Sequence, residues 1–79
     1  MERTEIFERL NNVFREVFDD DSITVTDTTV ASDIDDWDSL MHITLLSAVE
    51  DEFGISFNMK EVVKMKNVGD MVDIIEKEV

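Results

Sequence analysis

Residues 36–54 read DWDSLMHITLLSAVEDEFG, and this stretch decides the fold. Asp36, Asp38 and Ser39 are types that cap helix N-termini, because a short side-chain oxygen accepts a bond from an unpaired amide one turn on. An apolar stripe follows at Leu40, Ile43, Leu45, Leu46, Val49 and Phe53. Gly54 then supplies the left-handed residue that commonly stops a helix. The stretch is expected to be a helix from about Ser39 to Phe53, opening directly on a Ser hydroxyl.

Working outward, Arg3 to Phe18 carries Ile6, Phe7, Leu10, Val13, Phe14, Val17 and Phe18 at helical spacing, with Glu5, Glu8, Arg9, Asn12, Arg15 and Glu16 on the wet side. Thr4 is its expected N-cap. On the other flank, Ile55 to Asn58 is a connector, and Met59 to about Met65 forms a short helix with Val62 and Val63 inward. Asn67 with Asp70 reads as a cap with a capping-box-like partner. Val68, Met71, Val72, Ile75 and Val79 then share one face of a last helix. Residues 19–38 break the pattern with Asp19, Asp20 and Asp21, then single apolar residues at Ile23, Val25, Val30 and Ile34. Alternation at 23–26 suggests a strand that has no partner, so an ordered loop pinned by its apolar residues is expected. The expected fold is all-α: a small antiparallel bundle of three longer helices plus one short helix, with a long loop between the first two. Residues 1–79 show no repeat and no boundary, so one domain is expected.

Composition narrows the function. Twenty acids against seven bases in 79 residues give a net charge of −13. Nucleic acid is excluded as a partner, since phosphate neutralisation needs clustered Lys and Arg, and an anionic membrane repels the chain likewise. With 43% of residues apolar and no Pro, the chain reads as folded rather than disordered. The absence of Cys removes disulfides, thiolate metal sites and thiol catalysis, and fits a reducing compartment. The charged start Met1–Glu5 leads into no apolar segment, and no apolar run reaches the roughly eighteen residues of a membrane span. A soluble, cytoplasmic protein is expected.

Catalytic chemistry is scarce. His42 is the only His, so no two-His metal site exists, and its plain reading is a polar residue on the second helix. Two glycines, Gly54 and Gly69, make no phosphate-cradling loop. Asp33, Asp35, Asp36 and Asp38 fail the EF-hand pattern, which wants Gly and Glu where Asp38 and Thr44 stand. No metal is expected. Ser39 has two readings: a simple cap, or a covalent attachment point at a helix N-terminus, whose free amides and positive dipole end favour a phosphate. With no base nearby, a separate enzyme would have to modify it.

At these residues the sequence resembles the acyl carrier proteins. The resemblance rests on Asp38-Ser39-Leu40 at the start of an apolar helix, with Glu50-Asp51-Glu52-Phe53-Gly54-Ile55 eleven residues after Ser39, and covers essentially the whole chain. It implies a non-catalytic carrier whose Ser39 receives 4′-phosphopantetheine from coenzyme A through a magnesium-dependent phosphopantetheinyl transferase. The thiol of that arm would hold acyl groups, so a cysteine-free protein imports its thiol. By the same resemblance, Asp36, Asp38, Leu40, Met41, Glu50 and Asp51 would dock acyl-loading, elongating and transferring enzymes through their basic patches. Leu46, Val62 and Met65 would line an acyl pocket, and the protein would act as a monomer.

The chain departs from carriers of bacterial fatty acid synthesis, which usually place acids two and five residues after the Ser. Met41 and Thr44 stand there; Asp36 stands two places before Asp38, where Gly is common, and Trp37 directly precedes Asp38. A less charged face selects different partners. This favours a specialised stand-alone carrier of a polyketide, modified-sugar or other secondary pathway over the housekeeping one. An aminoacyl or D-alanyl carrier, or an unmodified acidic helical adaptor for a basic protein, are the alternatives. The charge is also local: residues 19–58 hold eleven acids and no base, so −11 of the −13 surrounds Ser39.

Overall fold

A computed structural model describes residues 1–79. Helices α1 (Arg3–Val17), α2 (Ser39–Phe53), α3 (Met59–Lys64) and α4 (Val68–Glu78) account for the regular structure, with a 3-10 turn at Ala31–Asp33 inside the loop. The helix limits agree with the spacing of apolar residues to within a residue or two. The 3-10 turn was not expected from sequence. Its amides are tied locally, Asp33 N–H to Val30 C=O and Val30 N–H back to Asp33 Oδ2.

Thr4 does not cap α1: the cap position lies two residues earlier, at Glu2, which makes no side-chain cap bond. Asn67 does cap α4, its Oδ1 accepting from Asp70 N–H at 2.8 Å. Asp70 answers on Lys66 N–H at 2.9 Å, so its return bond lands one residue before the cap. Both long helices end on a left-handed residue with the same wide bond. Ile55 N–H reaches Glu50 C=O across Gly54 (φ 65°), and Asp20 N–H reaches Arg15 C=O across Asp19 (φ 50°).

The core is Ile6, Leu10, Val13 and Phe14 of α1, Leu45, Val49 and Phe53 of α2, and Val68, Met71, Val72 and Ile75 of α4, closed by Phe18 and Val25. Each large side chain so buried contributes about 1.5–3 kcal/mol relative to exposure. Helix α1 packs on both α2 and α4. Arg3 at the start of α1 meets Asp73 and Glu76 near the end of α4, and Arg9 meets Glu52 at the end of α2, while Phe14 meets Trp37 before α2 begins. Both neighbours therefore run antiparallel to α1. No helix is long and apolar enough to cross a membrane.

Four positions expected on the apolar faces meet solvent instead. Leu40 is 73% exposed, Ile43 67% and Val63 76%. Ile43 and Leu45 sit two residues apart, about 200° around a helix, so one face cannot hold both. Leu45 takes the core with Val49 and Phe53, each four residues on. In α3, Val62 is half-buried and its neighbour Val63 is turned out. Val79 lies beyond the last turn and is exposed.

The long loop is ordered by polar wiring as well as by its apolar residues. Asn11 Oδ1 accepts from Val25 N–H at 2.6 Å, and Arg15 Nε donates to Ile23 C=O at 2.7 Å. The two leading amides of α4, on Val68 and Gly69, donate to Thr29 and Asp27 carbonyls at 2.8 and 3.0 Å. The loop thus caps α4 with its own backbone. A Cβ at Gly69 would lie 2.7 Å from Asp27 O, which fixes glycine there by close approach.

Candidate functional site

The site is assembled where the loop delivers the chain into α2. Asp38 is the cap residue: its Oδ1 accepts from Met41 N–H at 2.8 Å, and its carbonyl accepts from His42 N–H at 2.9 Å. Ser39 is therefore the first residue inside the helix, not its cap. Its exposed hydroxyl makes no hydrogen bond within the protein. The amides of Ser39 and Leu40 are likewise without partners, as the first turn of a helix requires. With no acid in that turn, the dipole end and two free N–H groups suit a phosphate on the Ser39 oxygen. The residues present fit such a group.

Trp37 sets the geometry of this corner. Its ring stands edge-on to Phe14 at 5.3 Å between centroids and lies 6.1 Å from Phe18, so the end of α1 anchors the residue two before Ser39. On its other side Trp37 stacks on His42 (5.8 Å, 24° between planes), and Trp37 Nε1–H donates to His42 Nδ1 at 3.0 Å. His42 is accordingly neutral, with its proton on Nε2. Partial burial holds its pKa below the ordinary imidazole value. His42 does not reach Ser39 as a base, because its Nδ1 is committed to the indole.

The other sequence-derived residues divide into groups. Asp36, Asp38, Leu40 and Asp51 are exposed around or along α2, and Met41 is half-buried against the core. Glu50 is half-buried, and its Oε2 accepts from Phe57 N–H at 2.7 Å, so one oxygen ties down the α2–α3 connector. Leu46 packs on the core and Val62 is half-buried. Met65 lines a cleft of about 80 Å³ with Ala31, Trp37, His42, Lys66, Asn67 and Met71; Leu46 and Val62 do not line it. A second, open groove of about 430 Å³ runs beside Ser39 along Ala31, Trp37, Asp38 and His42. A larger hollow of about 530 Å³ lies under the loop, lined by Asp20, Asp33, Asp35 and Asp36 among others, and does not touch Ser39.

Sequence reasoning missed the Trp37–His42 pair. The aromatic one residue before the cap and the His one turn after it were visible, but their hydrogen bond depends on how the loop enters the helix. It also left Gly69 unexplained.

The sequence matches the phosphopantetheine attachment site family over residues 5–75. It is 35% identical to an acyl carrier protein of Coprothermobacter proteolyticus, with 96% of this chain and 93% of the relative covered. It is 32% identical to an acyl carrier protein of Lactobacillus acidophilus, over 96% of this chain and 95% of the relative. The fold is similar to the solution structure of a holo acyl carrier protein from Geobacter metallireducens, with a TM-score of 0.85 and 48% identity, covering 90% of this chain and 82% of that one. By the extent of these matches, the chain belongs to the phosphopantetheine attachment family as an acyl carrier protein.

Proposed function

We propose that Ser39 is the attachment residue and that the protein carries short-lived acyl loads between enzymes without catalysis of its own. The observation that carries this is the division of roles at the helix start: Asp38 takes the capping bond, leaving the Ser39 hydroxyl exposed and unbonded beside two free amides. In the transfer, the Ser39 oxygen bonds to the phosphorus that bears pantetheine in coenzyme A. The phosphoanhydride bond breaks, adenosine 3′,5′-bisphosphate leaves, and a base of the transferase takes the hydroxyl proton. When bound, 4′-phosphopantetheine supplies a terminal thiol that holds acyl groups as thioesters.

Acyl carrier proteins meet phosphopantetheinyl transferases and biosynthetic enzymes. Here Asp36, Asp38 and Asp51 offer carboxylates to basic patches, with one oxygen of Glu50. Leu40 and Ile43, exposed on the uncharged early face of α2, add an apolar contact, and Met41 flanks it. Leu46, Val62 and Met65 remain the residues proposed to meet an acyl chain. That neutral face supports a specialised pathway over fatty acid synthesis, since it lacks charges a housekeeping partner would pair with. The protein acts as a monomeric single domain in the cytoplasm.

The test is intact mass after incubation of the unmodified protein with coenzyme A, magnesium and a promiscuous phosphopantetheinyl transferase. One phosphopantetheine is gained, and Ser39→Ala gains none; an unchanged wild-type mass would leave the acidic adaptor. For the pathway, efficient charging by the host malonyl transferase and elongation by its ketosynthase would sink the specialised reading.

A further inference from the structure

The 80 Å³ cleft and the groove beside Ser39 share three residues, Ala31, Trp37 and His42, so the two spaces adjoin across the Trp37–His42 pair. The pair is a fixed wall: the indole is held from behind by Phe14 and Phe18 and in front by its bond to His42 Nδ1. An apolar cavity of about 150 Å³ is enough for a benzene ring, and this cleft is little more than half that size. Its lining also differs from the acidic surroundings of Ser39. No carboxylate lines it; Lys66, which does, forms no ion pair, and His42 Nε2–H has no protein partner. Asn67 Oδ1 is committed to Asp70 N–H, which leaves the donors of its amide. The cleft therefore combines room for a few carbons, on Ala31, Met65 and Met71, with donors suited to a carbonyl oxygen.

We propose that the hydrogen-bonded Trp37–His42 pair sets the size limit of the acyl group this carrier shelters, so that the cleft takes a thioester of about two to four carbons and excludes longer chains. The inference rests on Ser39 carrying the phosphopantetheine arm, which the groove along Trp37 and His42 leads toward the cleft. The selecting wall lies on α2 and the segment before it, and of the three proposed acyl-contact residues only Met65 meets a load sheltered in this cleft.

Trp37 is the only Trp, so its emission reports on the cleft without labelling. The unmodified protein is charged with acetyl-, butyryl-, hexanoyl- and decanoyl-coenzyme A by a promiscuous transferase with magnesium, and intact mass confirms each load. A missing mass gain strikes the attachment reading and is seen before the size question is asked. Acetyl and butyryl loads should lower acrylamide quenching of Trp37 about twofold against phosphopantetheine alone and raise Tm by roughly 3 °C, as a ligand of the native state does. The decanoyl form should match phosphopantetheine alone. His42→Ala, which removes the acceptor and part of the wall, should extend protection to hexanoyl and decanoyl loads. If that variant does not fold, the wild-type series decides alone. Protection equal at all lengths, rising with length, or absent at every length in fully loaded protein overturns the proposal.

Discussion

Helix α1 and the first half of α2 put their apolar residues to opposite uses. In α1 the apolar stripe is buried and the cations are used internally. Arg3 pairs with Asp27, Asp73 and Glu76; Arg9 pairs with Glu52 at 2.7 Å and lies over the Phe53 ring; Arg15 holds the loop at Ile23. The three carboxylates around Arg3 hold its guanidinium pKa above the ordinary value. In the first two turns of α2, Leu40 and Ile43 face water and no charged side chain is present. One helix is committed to the fold and the other leaves a face open. Leu40 and Ile43 thus lie in solvent near the unbonded Ser39 hydroxyl, where the core does not use them.

That contrast can be broken by substitution. Phe14→Ala empties a fully buried site that also supports Trp37, and should cost about 3–5 kcal/mol in denaturant unfolding. Ile43→Ala is its counterpart, with an expected change within about 0.5 kcal/mol. A large cost for Ile43→Ala would mean that the open face is structural after all. Gly69→Ala comes next. Its Cβ meets loop backbone and must push the loop off α4, at about 1–3 kcal/mol in the same measurement.

Asp19→Gly should go the other way. Asp19 holds a left-handed conformation that glycine adopts freely, and its loss removes one charge from an acidic run, so a gain of about 0.5–1 kcal/mol is expected. Acid titration sharpens the contrast at the smallest scale. Burial lowers the His42 pKa, so the unfolded chain takes the proton first. The stability this linkage contributes is complete above the ordinary value of 6.5 and declines as pH falls through the lower folded value. Asp20, whose pKa is lowered by its bonds to Ser22, acts in the same direction in a separate window beginning below 3.8. Trp37 emission should follow the upper step, because a protonated His42 no longer accepts from the indole, and His42→Phe should abolish that step.

Much of this was legible in the sequence because it is local. Apolar residues at helical spacing place α1 and α4, and Gly54 marks where α2 stops. Asp38-Ser39-Leu40 marks the site by resemblance. The misplaced apolar residues share a cause: apolar side chains are assigned inward by default. In α2 the stripe through Leu45, Val49 and Phe53 and the pair Leu40 and Ile43 lie on different faces, which the 3.6-residue period could have separated. What could not be read is the wiring of the long loop. Asn11 to Val25, Thr29 and Asp27 to the start of α4, and Trp37 between Phe14 and His42 join residues whose partners are set by the assembled fold. Even the spacing between Trp37 and His42 carries meaning only once the loop enters α2 at its observed angle.

The cap bond that Met41 N–H donates to Asp38 Oδ1 separates the helix start from the serine beside it. Because Asp38 supplies the N-terminal cap, the start of α2 does not depend on the Ser39 hydroxyl. Whatever the Ser39 oxygen carries, the first turn of α2 keeps the same cap bond.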